Sequence, residues 1–132
     1  MPGRGARTQM AARPEKNAPL AQRMRYALTG LAYGLRAERS LRMQTIVFLA
    51  LLGVLAWTRP PAIWWAVLIL TGVAIIAAEL INSALEALAD HLAPGEHPRV
   101  RVVKDCAAAA VLVLVAGAVA VGLAFLAFLL AR

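Results

Sequence analysis

Four polar residues between positions 79 and 90 have the spacing of a single helix face. Glu79, Asn82, Glu86 and Asp90 stand at i, i+3, i+7 and i+11, with Ser83 at the edge of that face. Ionisable groups next to an apolar run are costly, which favours a functional role over simple solvation. Glu79 is the clearest case, because it follows 17 uncharged residues. Asp90 could equally be solvated, and Asn82 could bond a neighbouring helix.

The segment after this polar face predicts a short hairpin. Pro94-Gly95 ends the helix, and Pro98 lies in the connection. The following helix should bring Lys104 and Asp105 back toward the polar face. Lys104 is either a snorkelling residue at a helix end or, among several carboxylates, a contact for phosphate.

Glu38 is an acidic residue just before the first apolar run. Alone, it would be a solvated residue at a helix flank. Facing Glu86, it would complete a two-carboxylate site for Mg²⁺, which prefers oxygen ligands and phosphate partners.

The composition excludes several classes of protein. Of the 132 residues, 61% are hydrophobic and only 16% are charged, which argues against a disordered chain and against an ordinary soluble domain. The single cysteine, Cys106, cannot form an intrachain disulfide or a cysteine-based metal site.

Three apolar runs predict three membrane-spanning helices at about 40–58, 62–92 and 104–131. The second is 31 residues long, which gives about 46 Å of helix against a hydrocarbon core of about 30 Å. It should therefore project beyond the bilayer, with Glu79 near the membrane–water boundary. The fold class expected is all-α.

The basic residues indicate an orientation rather than a nucleic-acid partner. Nine of the 14 lie in the first 42 positions, where the aromatic residues that could stack on bases are sparse. The positive-inside rule then places the N-terminus and the segment between spans two and three in the cytoplasm. Three tryptophans near the opposite turn fit an interfacial belt: Trp57, Trp64 and Trp65. No signal peptide is evident, so the spans should stay in the bilayer.

The N-terminal region divides into two parts. Residues 1–18 are rich in Arg, Gly, Ala and Pro and are expected to be a disordered basic tail, leaving one membrane domain over 19–132. From about 20 to 37, apolar residues at helical spacing alternate with arginines. This pattern favours an amphipathic helix on the membrane surface, the alternative being a helix packed on the rest of the chain.

These residues together resemble the prokaryotic diacylglycerol kinase family, which includes undecaprenol kinases. The resemblance covers roughly 20–130 and depends on Glu79-Leu-Ile-Asn82-Ser-Ala-Leu-Glu86 with Asp90, on Lys104-Asp105 before an Ala-rich helix, and on Glu38. It implies a homotrimer of three-span subunits in the bacterial inner membrane, with active sites between subunits at the cytoplasmic interface.

The resemblance also implies an ATP- and Mg²⁺-dependent kinase that phosphorylates the hydroxyl of diacylglycerol or undecaprenol. Glu79 looks like the general base, Asn82 and Asp90 like site-organising residues, and Glu38 and Glu86 like the Mg²⁺ ligands. The implied ATP-binding positions are Tyr26, Gly95, Glu96, His97, Lys104 and Asp105.

Three departures concern the lipid substrate and the basic site residue. The diacylglycerol kinase branch often has a second acidic residue after the first, whereas this chain has Gln44 in that region. The stretches Ala37-Glu38-Arg39 and Glu96-His97-Pro98 look more like the undecaprenol kinase branch. Arg23 and Arg25 both compete for the family's early basic position.

Two rival functions use the same features. A small ion or proton transporter also carries intramembrane carboxylates, but it predicts them near mid-membrane, whereas here the polar set clusters at one end. A non-catalytic scaffold could oligomerise through the Ala/Gly-rich third span, a feature that is also compatible with catalysis.

Overall fold

The computed structural model describes residues 18–95 and 97–132. Four helices follow one another: α1 (Leu20–Ala37), α2 (Arg39–Thr58), α3 (Ala62–Leu92) and α4 (Pro98–Leu130). These described ranges contain no strand. The predicted basic tail lies outside the described residues except for Ala18.

A single extended residue separates α1 from α2. Glu38 has φ −101° and ψ 119°, and its N–H donates to the Gly34 carbonyl at 2.8 Å. The Arg42 guanidinium donates to the carbonyls of Arg36 at 2.8 Å and Leu35 at 3.2 Å. A cation there also complements the negative end of the α1 dipole. The break therefore has its own hydrogen bonds, and it fixes where Glu38 lies.

Gly34 lets α1 approach the other helices closely. It is buried, and a Cβ added to it would lie 2.9 Å from Leu41 Cδ2 and 2.9 Å from Leu80 Cδ2. Leu41 belongs to α2 and Leu80 to α3, so a side chain at position 34 would push against both helices. This contact brings the C-terminal end of α1 and the adjoining Glu38 to α3.

The turn between α2 and α3 is tight and ends in two prolines. Arg59 adopts the left-handed conformation with φ 46°, and its N–H donates to the Leu55 carbonyl at 2.9 Å. Pro60 and Pro61 then prevent α2 from continuing. Arg132 adds a bond at this end, from Nη1 to the Thr58 carbonyl at 3.1 Å.

The main apolar core lies at the same end of the molecule. Leu55, Leu68 and Phe125 are buried and join α2, α3 and α4. The Trp64 ring lies 5.1 Å from the Phe125 ring and 5.4 Å from the Phe128 ring, measured between centroids. These contacts hold the three helices together at the end opposite the polar face.

The two longest helices pack along each other and turn back at the polar end. α3 ends at Leu92, and α4 begins at Pro98, six residues before the predicted start at Lys104. Pro98, expected in the connection, is the first residue of α4, a position that suits its fixed φ and missing N–H. The His97 ring caps the helix by accepting from the Arg99 N–H at 3.3 Å. The early start puts extra helical turns before Lys104.

Three of the helices, α2, α3 and α4, are long and apolar enough to cross a membrane. In the most apolar stretch of each, only 11%, 11% and 6% of the residues are buried within the chain. Apolar side chains thus form most of their outer surface, as expected for helices that contact lipid tails or further subunits. The all-α prediction with three membrane-length helices is confirmed. The trimer and the surface position of α1 stay predictions.

Candidate functional site

Glu79 is the buried acidic residue of the polar face. It lies in α3 with 6% of its surface exposed, and its Oε1 accepts a hydrogen bond from the Ser40 hydroxyl of α2. A carboxylate in this position is expensive to bury unless it is hydrogen-bonded. The Ser40 contact supplies one such bond and leaves the second carboxylate oxygen available to another donor.

Asn82 and Glu86 form the next part of the face. Asn82 Nδ2 donates to Glu86 Oε1 at 3.0 Å, so the amide orients the carboxylate one turn further along α3. Two buried side-chain oxygens in the described part of the chain accept no hydrogen bond, Asn82 Oδ1 on α3 and Gln44 Oε1 on α2. Buried acceptors of this kind normally have a donor or a cation as partner.

The end of the face connects to α4. Lys104 Nζ forms an ion pair and hydrogen bond with Asp90 Oδ1, which confirms that α4 brings Lys104 back to Asp90. Asp90 is exposed, so the pair contributes at most about 1 kcal/mol to stability. Its main effect is to place the Lys104 ammonium at the turn between α3 and α4.

A cavity of about 640 Å³ opens at this turn. Four residues assigned to the site from sequence line it, namely Asp90, Gly95, His97 and Lys104. Arg101 lines it as well, one turn before Lys104 on the same helix. Two cations beside the positive end of α4 make the cavity suitable for a polyanionic group.

Glu38 lines a second cavity, of about 400 Å³, between α1 and α3. Ser83, at the edge of the polar face, lines it too, and the remaining walls are mainly apolar. The cavity thus pairs a carboxylate with an apolar surface near the helix break.

The other predicted site residues are more scattered. Tyr26 lines neither of these cavities, and its hydroxyl accepts from Gln22 Nε2 at 2.7 Å. Asp105 is exposed and also lines neither. The structure therefore brings neither of these two residues into the cavities. Glu96 lies outside the described residues.

Comparison with known proteins identifies the family of this chain. The sequence profile described as prokaryotic diacylglycerol kinase matches residues 25–126, which is 102 of the 132 residues. The chain belongs to the prokaryotic diacylglycerol kinase family. It is also 38% identical over 100 residues to a protein named diacylglycerol kinase from Synechocystis sp. (strain ATCC 27184 / PCC 6803 / Kazusa). That similarity covers 74% of this chain and 57% of the relative, so the chain spans less than two thirds of the relative's length.

The family match encloses every candidate site residue from Tyr26 to Asp105. In this member of the diacylglycerol kinase family, Glu38 and the polar face of α3 offer oxygen atoms as metal ligands. Residues 18–95 and 97–132 contain no group of three or more His, Cys, Asp or Glu that could hold a metal ion. Mg²⁺ usually takes one or two carboxylates and completes its shell with water and phosphate oxygens. Glu38 and Glu86 therefore fit Mg²⁺ by donor type, and the free Asn82 Oδ1 adds an oxygen beside Glu86.

Two residues that the sequence reasoning did not assign emerge from the geometry. Arg101 stands three positions before Lys104, and that i, i+3 spacing could have identified it. Ser40 offers no comparable signal, because Ser40 and Glu79 lie in different helices and are 39 positions apart in the chain.

Proposed function

We propose that this chain is a lipid kinase that transfers the γ-phosphoryl group of ATP to the hydroxyl of a membrane lipid alcohol, either diacylglycerol or undecaprenol. The observation that carries the proposal is Glu79, a buried carboxylate in a membrane-length helix at the end where the charged residues gather. It stands 17 residues after Ala62, about 26 Å along α3, and so near one edge of a hydrocarbon core of about 30 Å. A lipid hydroxyl can reach such a group without leaving the bilayer.

The nucleotide is assigned to the cavity at the α3–α4 turn. Lys104 and Arg101 would offset phosphate charge, and Gly95 leaves room beside them because a Cβ added there would meet nothing within 4 Å. Asp90 holds the Lys104 ammonium by their ion pair. Phosphoryl transfer depends mainly on positioning and on charge stabilisation of this kind.

Glu38 and Glu86 are the proposed Mg²⁺ ligands. When bound, the ion would neutralise charge on the ATP phosphates. Asn82 keeps one Glu86 oxygen hydrogen-bonded, which limits the rotation of that carboxylate. The helix break places Glu38 at the start of α2, in the wall of the cavity between α1 and α3.

The transfer step needs a base and an in-line arrangement. The lipid oxygen attacks the γ-phosphorus, its proton passes to Glu79, and a new O–P bond forms. The bond between the γ-phosphorus and the β–γ bridging oxygen breaks, and ADP leaves with that electron pair. Glu79 then releases the proton to solvent. The products are a phosphorylated lipid, ADP and a proton, so charge and atoms balance.

The assembly and location are part of the same proposal. We place the chain in the bacterial inner membrane as a multi-pass protein with a cytoplasmic N-terminus, because the basic residues concentrate before α2 and around the α3–α4 turn. The largely apolar, exposed faces of α2 to α4 support a homotrimer, in which neighbouring subunits and lipid would cover them. Residues that the single chain leaves scattered, such as Tyr26, would then complete a site on a neighbour.

A reconstituted assay tests the function directly. The purified protein would receive Mg-ATP with diacylglycerol or undecaprenol in parallel, and phosphorylated lipid would be measured. Product from one lipid establishes the kinase and its substrate branch, and product from both establishes a permissive kinase. No product from either lipid by an intact, folded preparation would refute the proposed substrates.

A further inference from the structure

We infer that Ser40 is a positioning residue, whose hydroxyl holds the Glu79 carboxylate so that its second oxygen faces the lipid alcohol. The inference depends on the proposed function, because it assigns a partner to the proposed base. It concerns one contact between α2 and α3, the hydrogen bond from Ser40 Oγ to Glu79 Oε1.

The way the threonine hydroxyls bond makes this contact distinctive. All four threonines in the described residues donate to the backbone carbonyl four positions earlier in the chain. The donor–acceptor pairs are Thr29 to Arg25, Thr45 to Leu41, Thr58 to Val54 and Thr71 to Val67, at 2.7–2.9 Å. A local bond of this kind is the usual one for a hydroxyl within a helix.

Ser40 has no such carbonyl within its own helix. It is the second residue of α2, and the residue four positions earlier is Arg36, which belongs to α1 beyond the break at Glu38. The Arg36 carbonyl already accepts from the Arg42 guanidinium. The helix break thus frees the Ser40 hydroxyl to donate across to α3.

The contact controls access to Glu79 as well as its orientation. Glu79 is buried, whereas Ser40 is exposed, so the α2 edge is where an outside group can approach the carboxylate. An ionised carboxylate only accepts hydrogen bonds, and Ser40 occupies one of its two oxygens. The other oxygen remains for the lipid O–H. Ser40 also stands two residues after Glu38, so the first turn of α2 links the proposed metal ligand to the proposed base.

The test compares three variants of the full chain in lipid. Ser40→Ala removes the donor, Ser40→Thr keeps it, and Thr45→Val removes a hydroxyl that bonds only within α2. We expect Ser40→Ala to lower kcat about tenfold, equivalent to about 1.4 kcal/mol of barrier. The KM for ATP should stay within about twofold, because the lost contact does not touch the nucleotide cavity. Ser40→Thr should recover most of kcat, and Thr45→Val should match the parent protein.

The outcomes separate this inference from the proposed function. If the parent protein phosphorylates neither lipid, the proposed function fails. If the parent is active and Ser40→Ala keeps its full kcat, or Ser40→Thr fails to recover activity, only the positioning role is refuted. A Ser40→Ala protein that does not assemble would be replaced by Ser40→Cys, which keeps a similar volume with a weak donor. That variant should also lose kcat without a change in the KM for ATP.

Discussion

Replacing Glu79 by glutamine changes the chemistry of the site with little change in its shape. The amide has the size of the carboxylate, and its oxygen can still accept from Ser40, so α2 and α3 should keep their contact. The neutral amide cannot take a proton from a lipid hydroxyl. General-base catalysis contributes about 10²–10⁴-fold, so kcat should fall by that factor, or by about 2.7–5.4 kcal/mol of barrier.

Glu79→Ala is the matched variant, because it removes the acceptor as well as the base. The exposed Ser40 hydroxyl would bond to water instead, so the loss is the net value of one hydrogen bond, about 0.5–1.5 kcal/mol. We therefore expect both variants to lose activity alike, while only the alanine variant unfolds at a clearly lower temperature.

The assay measures phosphorylated lipid at saturating Mg-ATP, together with thermal unfolding and oligomer size in the same detergent. If Glu79→Gln keeps more than about a tenth of the parent kcat, the base assignment is refuted. A loss of less than about tenfold is below the range for removal of a general base. Equal unfolding temperatures for the two variants would show that the Ser40 bond contributes little to stability.

Three further outcomes can be checked separately. Glu86→Ala should weaken Mg-ATP binding, measured by calorimetry, and an unchanged Mg²⁺ dependence of the rate would contradict the ligand assignment. Arg101→Ala should raise the KM for ATP about tenfold, since charge-assisted bonds contribute about 1.5–3 kcal/mol, and an unchanged KM would remove Arg101 from the nucleotide cavity. Gly34→Ala should destabilise the fold by about 1–3 kcal/mol, because its Cβ would press on two leucines. Gly30→Ala in the same helix is the control, since its Cβ would meet nothing within 4 Å, and equal melting of the two variants would refute the packing argument.

Hydropathy and helical spacing predicted most of the architecture. Uncharged runs of membrane length need backbone hydrogen bonds within the segment, so their identity as helices follows from composition alone. The pairing of Lys104 with Asp90 was predictable too, because a short connection leaves two antiparallel helices adjacent.

Details that depend on the contact between helices were not predictable in the same way. The Ser40–Glu79 bond requires the register of α2 against α3, which depends on close contacts such as Gly72 against the Phe48 ring. The start of α4 at Pro98 depends on the His97 cap, which a hydropathy pattern does not contain. Tyr26 and Asp105 line neither cavity, and in the proposed trimer a neighbouring subunit would have to bring such residues to a site.

The unequal lengths of the helices have a consequence for how the two proposed substrates meet. α2, with 20 residues, is about as long as the hydrocarbon core is thick, whereas α3 and α4, with 31 and 33, extend about 16–20 Å further. In the proposed membrane placement, the polar end of α2 would lie level with the lipid headgroups, and α3 and α4 would extend beyond them. The lipid alcohol arrives by diffusion in two dimensions and the nucleotide by diffusion in three. The rate of the proposed reaction should accordingly follow the mole fraction of the alcohol in the bilayer. Adding inert phospholipid should slow phosphorylation even when the amount of alcohol per volume is constant.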